Sequence, residues 1–344
     1  MRIIVIIVTY NAQDRIATCL RSVYSQSYAK DKYDVMVVDN ASSDATVDIV
    51  SKDFSDVLLL PQKRNLGFAK GNNLGIMYAL ERGYDAVVLL NDDTKPRDTW
   101  LEHLVVTADE DPYVGIVQSK ILFMQQAFRV DTIGNPLHPL GFSWSGGYKH
   151  LSSDYTEDRD VPVASGASML IKRSVLERIG LLDEYLFMYH EDVDYSWRAR
   201  LAGFRVRLAS QSVVFHDHTF TLGGKKFYYA ERNRLLVLAS RYRLWTICLL
   251  LPALLATEVA MIFYAFISGW GMWKIKSYGG FILSIFHIIK ERSHTRQIRT
   301  MSDKEIMRVM TTSLKFDGIK SFALRFVYNP IFRIYFSIVK NFIV

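Results

Sequence analysis

Two groups of side chains carry the chemistry. The first is the stretch Ala86-Val-Val-Leu-Leu-Asn-Asp-Asp-Thr94, where an apolar run meets an amide and two carboxylates. Such a run reads as a strand buried on both faces. Adjacent acids at its carboxyl end are costly to bury unless something cationic neutralises them. In open α/β sheets, ligands bind in the crevice beyond the carboxyl strand ends. A hard divalent cation bridging to a substrate phosphate meets both demands, although Asn-Asp-Asp before Pro96 also fits an ordinary turn or helix cap. The second group is Glu191, Asp192 and Asp194, just after the aromatic-rich run Tyr185–His190. In the first turn of a helix these acids suit the macrodipole. One of them, placed beside an acceptor hydroxyl, is a general base.

The elements that must position these groups alternate. Ile3–Val8 is a continuous Ile/Val strand ending in Thr9-Tyr10-Asn11, followed by an amphipathic segment from Arg15 to Ser25. Tyr33–Val38 is the next strand and ends in Asp39; Ser43 or Asp44 caps a helix starting near Ala45. Val57–Leu60 is a third strand, Asn65–Asn73 opens a helix reaching about Arg82, and Asp85–Leu90 is the fourth strand. Strand and helix in this rhythm predict right-handed βαβ units and a mainly parallel sheet. Thr9, Asn11, Asp39, Asn65 and Asn91-Asp92-Asp93 then share one rim. Gly67 and Gly71 form neither a Walker loop nor a G-x-G-x-x-G fingerprint, which disfavours an ATP or dinucleotide site.

Further on, Trp100–Asp109 reads as a helix, Val114–Leu122 as a strand and Asp131–Asp160 as a loop. Phe142, Trp144 and Tyr148 within that loop fit either an acceptor wall or plain loop anchoring. Val163–Ile171 brings small residues into a strand, and Gly166 allows backbone to approach a ligand closely. Ser174–Gly180 is a short helix. Ser212–Thr219 is a strand that ends in His216 and His218.

Charge is unevenly placed along the 344 residues. The net charge is +7, but from Lys274 to Val344 there are 13 Lys/Arg against 4 Asp/Glu, a balance of +9, so the first 273 residues sum to −2. Basicity confined to the tail argues against a nucleic-acid partner. Cys19 and Cys248 give no disulfide framework, consistent with a reducing, cytoplasmic compartment. Met1–Val8 is too short for a signal peptide. Leu244–Ile267 has 24 residues, one charge (Glu258) and Pro252, which is long enough to span a bilayer. Basic residues flank it on both sides: Arg241 and Arg243 before, Lys274 and Lys276 after. The positive-inside bias therefore favours a re-entrant or in-plane hairpin. Phe281–Ile289 is too short to return across. Ile319–Val344 follows as an interfacial helix bearing Lys320, Arg325, Arg333 and Lys340. This tail would attract anionic head groups. The expected division is a catalytic domain over residues 1–240 and a membrane-association region over 241–344.

Taken together, Val8-Thr-Tyr-Asn11, Val38-Asp-Asn-Ala-Ser-Ser-Asp44, Asn65-x-Gly-Phe-Ala-x-Gly-Asn-Asn73 and Leu89-Leu-Asn-Asp-Asp-Thr94 resemble family 2 glycosyltransferases of the GT-A fold, in particular their rhamnosyltransferase-like branch. The resemblance spans roughly residues 3 to 240. It implies a Rossmann-like, mixed but mainly parallel sheet flanked by helices. It also implies a nucleoside diphosphate-sugar donor at Thr9, Tyr10, Asn11, Asp39, Asn65, Gly71 and Asn72. A divalent metal, Mg2+ or Mn2+, would sit at the Asp-x-Asp region, where Asn91 replaces the first acid. Asp93 is then a metal ligand, with Asn91 and Asp92 nearer the ribose. Glu191-Asp192-x-Asp194-x-x-x-Arg198 resembles the family's base motif. Asp192 matches the base, Glu191 orients the acceptor, and Arg198 is structural or near the diphosphate. Gly166 would face the acceptor. His216 would complete the metal site, with His218 as fallback, and Arg232 would meet phosphate.

The activity implied is inverting transfer of a hexosyl or deoxyhexosyl group to a glycan acceptor, lipid-linked, at the cytoplasmic face of the membrane. Such a transfer belongs to cell-surface polysaccharide or glycoprotein glycan assembly. Three other readings compete. A processive synthase would carry Gln-x-x-Arg-Trp, whereas only Trp197-Arg198 occurs here, in reversed order. A sugar nucleotidyltransferase shares the early topology but leaves the base motif unexplained. A catalytically weak nucleotide-sugar-binding scaffold subunit draws support from Asn91.

Overall fold

The continuous Ile/Val runs form the centre of one ten-stranded sheet among the described residues, which are 1–217, 223–315 and 322–344 of a computed structural model. The strands are β1 (Ile3–Thr9), β2 (Tyr33–Asp39), β3 (Leu58–Pro61), β4 (Ala86–Asn91), β5 (Thr94–Pro96), β6 (Val114–Phe123), β7 (Val130–Thr132), β8 (Arg159–Asp160), β9 (Ser168–Lys172) and β10 (Arg205–His216). Their order is β3-β2-β1-β4-β9-β6-β10-β5, with β7 paired to β6 and β8 to β10. β1 lies parallel to both β2 and β4, β2 to β3, and β10 to β6. β9 enters antiparallel between β4 and β6, and β5 is antiparallel to β10. The expected mixed, mainly parallel sheet is therefore the one found.

The helices are α1 (Ile16–Tyr24), α2 (Thr46–Asp53), α3 (Gly67–Glu81), α4 (Trp100–Asp109), α5 (Arg173–Ile179), α6 (Glu191–Leu201), α7 (Lys225–Arg241), α8 (Leu244–Ile267), α9 (Gly271–Leu283), α10 (Ile285–Ile298), α11 (Asp303–Met307) and α12 (Asn329–Val339). Alternate residues of β1 feed two separate cores. Ile4 and Ile6 pack with Ile76 of α3 on one face, while Ile3, Val5 and Ile7 pack with Ile16 and Leu20 of α1 and with Trp100 on the other. This is how a doubly covered parallel sheet uses an unbroken apolar run. α3 lies close on β1 because Gly71 and Gly75 face it: a Cβ at either would come within 2.8 Å of Val8 or Ile6.

The C-terminal helices join the same body. A third apolar cluster contains Leu137, Val193 and Trp197 together with Leu250, Phe332 and Phe336, and so crosses the expected boundary at residue 240. The segment expected over 281–289 instead straddles the break between α9 and α10 at Ser284. In the segment expected over 319–344, residues 319–321 lie outside the described residues. From 324 the chain makes a π-helical turn (Leu324–Tyr328) that runs into α12.

Glu258, the lone charge of α8, has a specific place. It accepts from Arg234 of α7, from Lys274 Nζ of α9 at 2.7 Å and from the Tyr278 hydroxyl at 2.6 Å. Glu231 of α7 accepts from Arg234 Nη2 at 2.9 Å and from Lys274. Two carboxylates thus balance two cations inside the helical layer, and Lys274 is fully buried. α8 also leaves Leu251, Leu255, Val259 and Phe263 exposed, and α12 leaves Ile331, Ile334 and Ile338 exposed. Removing one partner of a buried ion network leaves an uncompensated charge, at about 3–5 kcal/mol. Lys274→Met should lose stability of that order in denaturant melts of the detergent-solubilised protein. A loss below about 1 kcal/mol would refute the role given to the cluster.

Candidate active site

β1 and β4 run side by side to the rim, with Val8 opposite Asn91. The Thr9 hydroxyl donates to Asp92 Oδ2 at 2.7 Å, and Arg15 Nε donates to Asp92 Oδ1 at 2.9 Å. Burial raises the Asp92 carboxyl, and Arg15 and Thr9 hold it back. Thr9 and Asp92 are therefore engaged with each other inside the protein, not turned toward a nucleotide. Asn11, at φ 48°, accepts the Ser43 N–H on Oδ1 at 2.9 Å, and its own N–H donates to Ser42 Oγ at 2.8 Å. It stitches the loops after β1 and β2 together.

Other rim residues do face outward. Tyr10 is 48% exposed. Asp39 is buried, and its Oδ2 accepts the Ser42 N–H at 3.0 Å while Oδ1 has no hydrogen-bond partner among the described residues. A buried carboxylate oxygen left unpaired is costly, and an N–H or O–H donor from a ligand would satisfy it. The half-buried Asn91 side chain makes no hydrogen bond among the described residues.

The Asn65–Asn73 segment has a different task from the one implied. Asn65 Oδ1 accepts the Gly67 N–H at 2.9 Å, Asn72 Nδ2 donates to Phe68 O at 2.9 Å, and Gly71 packs on Val8. All three serve the start of α3. The same segment holds the loop before α6. Asn73 brackets Leu182, accepting its N–H at 3.0 Å and donating to its carbonyl at 2.9 Å. Lys70 pairs with Glu184 at 2.7 Å, and the Phe68 N–H donates to Phe187 O at 3.1 Å. Gly67 has φ +80°, and a Cβ there would stand 2.6 Å from the Phe187 ring.

β5 pairs with β10 so that Thr94 lies opposite His216, and the Asp217 N–H donates to Asp93 O at 2.9 Å. This register brings Asp93 Oδ1 to 3.1 Å from His216 Nε2. His216 Nδ1 lies 2.8 Å from Asp131 Oδ2. Burial disfavours the imidazolium, but Asp131 and Asp93 outweigh it and push His216 up to about 9. A carboxylate holding Nδ1 fixes which nitrogen faces Asp93, the arrangement that orients metal-bound imidazoles. Converging carboxylate oxygen and imidazole nitrogen suit Mg2+ or Mn2+, so Asp93 and His216 fit a divalent ion. Asp131 escaped notice in the sequence because its partner lies 85 residues away. His218 lies outside the described residues.

α6 begins at Glu191. Asp192 Oδ1 accepts the Val193 N–H at 2.8 Å, and the Gly166 backbone beside it favours its charged form. Glu191 Oε2 is buried without a hydrogen-bond partner among the described residues. Burial raises both acids. The Asp192 charge pushes Glu191 further, up to about 8, while backbone N–H groups moderate Asp192, which reaches about 6. Both acids thus hold a proton more tightly than an exposed carboxylate does. The Asn91 N–H donates to Ala167 O at 3.1 Å. The Gly166-Ala167 strip therefore lies against Asp192 at one end and is bonded to the Asn91–Asp93 turn at the other.

The sequence pattern of the family described as Glycosyl transferase family 2 matches residues 4–180, more than half of the chain. The chain is a family 2 glycosyltransferase. It is 29% identical over 237 residues to the low-salt glycan biosynthesis hexosyltransferase Agl10 of Haloferax volcanii, covering 67% of this chain and 74% of that one. It is 27% identical over 210 residues to an N-acetylglucosaminyl-diphospho-decaprenol L-rhamnosyltransferase of Mycobacterium tuberculosis, covering 55% and 68%. Among solved structures, the mannosyltransferase PcManGT from Pyrobaculum calidifontis, in complex with GDP-Man and Mn2+, shares the fold. Its TM-score is 0.51 at 20% identity, over 86% of this chain and 84% of that one. The GT-A fold and the rhamnosyltransferase-like resemblance both hold.

In this glycosyltransferase a strained loop leads into α6 and Asp192. Phe187, Tyr189 and His190 have φ of 63°, 64° and 67°, a left-handed region that costs about 1–3 kcal/mol per non-glycine residue and persists only where surroundings enforce it. Asn233 enforces it. Its Nδ2 lies 2.9, 2.9 and 2.8 Å from the carbonyls of Leu186, Met188 and Tyr189. Arg232 Nη2 donates to Tyr185 O at 2.9 Å and its Nε to Asn233 Oδ1 at 2.9 Å, amid the rings of Tyr185, Tyr228 and Tyr229. Arg232 thus braces the loop.

Arg198 resolves in favour of the structural alternative. It is buried against Asp194 at 2.8 Å and the carbonyls of Ile179 and Leu181 at 2.7 and 2.9 Å. Phe142 is buried beneath Arg234 and Tyr148 packs on Phe123, so these two loop aromatics act as anchors. Asn233→Ala should lower kcat at least about tenfold, leave the donor KM within about twofold, and cost about 1–3 kcal/mol of stability. Steady-state kinetics and melts check this; an unchanged kcat would refute the clamp.

Proposed function

We propose that residues 1–240 catalyse an inverting, divalent-metal-dependent transfer of a hexosyl or deoxyhexosyl group from a nucleoside diphosphate-sugar to a lipid-linked glycan. Residues 241–344 hold the enzyme at the cytoplasmic face of the membrane, for assembly of cell-surface polysaccharide or glycoprotein glycans. The observation that carries this reading is the Gly166-Ala167 strip, which lies against Asp192 and bonds through Ala167 O to the Asn91 N–H. In a single displacement, the acceptor oxygen forms its bond to the anomeric carbon as the bond to the diphosphate oxygen breaks. The acceptor proton goes to Asp192, and Glu191 donates a hydrogen bond that orients the acceptor. Asp93 and His216 would hold the divalent ion, whose charge when bound stabilises the leaving diphosphate. Tyr10, Asp39 and Asn91 receive the nucleoside. A lipid-linked acceptor is supported by the mycobacterial relative, whose name places its sugar on a decaprenol carrier. It is supported too by the exposed apolar faces of α8 and α12, α8 being long and apolar enough to cross a bilayer.

The test is metal-dependent release of nucleoside diphosphate from a panel of UDP-, dTDP- and GDP-sugars, with membrane lipid extract as acceptor. Asp192→Asn should lower kcat by about 10²–10⁴-fold while nucleotide binding persists. Because the folded carboxyl lies near 6 and acts as its anion, wild-type kcat/KM should climb with pH through about 6 and then level off. Binding without turnover for any donor would favour the scaffold reading. An absence of nucleotide binding would overturn the assignment.

A further inference from the structure

The end of α7, the turn into α8 and the carboxyl half of α10 enclose a recess of about 430 Å³. Five arginines line it, namely Arg241, Arg243, Arg292, Arg296 and Arg299, and no carboxylate does. Two of them are neutralised from behind: Arg241 by Asp194 at 2.6 Å and Glu291 at 2.8 Å, and Arg299 by Asp303 at 2.7 Å. Arg292 gives Nη1 to the carbonyls of Ala239 and Tyr242 and meets no carboxylate among the described residues. Arg243 and Arg296 are exposed, and their side chains make no hydrogen bond or ion pair among the described residues. Three guanidinium charges therefore gather around one hollow without an anion. Burial lowers Arg292, and the charges of Arg296 and Arg299 lower it further.

The basic lining is entirely arginine. Guanidinium groups present paired donors that match phosphate oxygens, where an ammonium offers only a point charge. Leu244 belongs both to the wall of this recess and to the exposed apolar face, and Trp245 beside it is 55% exposed. Tryptophan favours the level of lipid head groups. If α8 lies in the plane of the interface, the recess opens at that same level. Charge complementarity and this continuity with the apolar face select a lipid over a soluble anion.

We propose that the recess binds the phosphate head group of an anionic membrane lipid and so seats the apolar face of α8 on the bilayer. The proposal rests on the reading that residues 241–344 attach the enzyme to a membrane, and it replaces a diffuse attraction of the basic tail by one built site.

Flotation of the full-length protein with vesicles tests it, using phosphatidylcholine alone and phosphatidylcholine with one-fifth phosphatidylglycerol. The variants are the pair Arg243→Ala and Arg296→Ala, the pair Arg243→Lys and Arg296→Lys, and a charge-matched control pair, Lys276→Ala and Lys340→Ala, outside the recess. A basic side chain near an anionic surface contributes about fivefold in affinity. The alanine pair should therefore lose about 25-fold on phosphatidylglycerol vesicles and nothing on phosphatidylcholine. The lysine pair should recover only part of that loss, and the control pair should stay near wild type.

An equal loss in the control pair, or full recovery by lysine, would overturn the site in favour of diffuse attraction. Competition by millimolar glycerol phosphate as effective as that of the lipid would overturn the lipid and leave a soluble phosphate ester as ligand. No flotation of wild type with either vesicle would overturn the membrane reading itself. A wild-type-like gain in the alanine pair would overturn the recess alone.

Discussion

Asp192 is buried and receives backbone N–H groups, while Asp194, two residues on, receives two arginines. The rest of the site depends on that contrast. Arg198 and Arg241 pair with Asp194 and anchor α6. Asp192 and Glu191 meet no cation of this kind, so burial acts on them unopposed except by N–H dipoles and the start of the helix. A carboxylate tied to a guanidinium is a poor proton acceptor, because its anion is already stabilised. One held by N–H groups in a dry setting keeps its appetite for a proton. The protein pairs one acid of α6 with cations and, among the described residues, leaves its two neighbours without them.

α7 connects this constraint to the helical tail. Glu231, Arg232, Asn233 and Arg234 occupy one turn and a little more, so they point in different directions around the helix. Arg232 and Asn233 reach the carbonyls of the strained loop at 185–189, and Glu231 and Arg234 reach Glu258 of α8 and Lys274 of α9. The base loop and the helices with apolar outer faces are thus braced by the same short segment. The loop is also gripped from the other side by Gly67, Phe68, Lys70 and Asn73 of α3. Strain at three left-handed residues is tolerable because two elements enforce it at once.

The division of labour among the rim residues follows from packing. Thr9, Asn11 and Asp92 look like ligand contacts in one dimension, since polar residues at strand ends are where ligands bind. In three dimensions the loops after β1, β2 and β4 must also hold one another, and these residues do that. Tyr10, Asp39, Asn91 and the Asp93–His216 pair differ from these in exposure, an unpaired oxygen or convergence.

Local chemistry decided much of the molecule. The continuous Ile/Val runs specify strands buried on both faces, their spacing specifies parallel pairing, and the acids at Glu191 mark where α6 begins. An apolar run broken by one charge likewise bounds α8 at Leu244 and Ile267. These features are legible because each depends on neighbours within a turn or a strand. The roles of Thr9, Gly71, Asn73, Arg198 and Arg232 are not of that kind. Thr9 meets Asp92 across 83 residues and Asn73 meets Leu182 across 109. A hydrogen bond forms between whichever groups the fold brings within about 3 Å, and no local pattern encodes that meeting. The sequence by itself determined the architecture and the kind of chemistry; only the tertiary structure decided which polar residues face a ligand and which hold the frame.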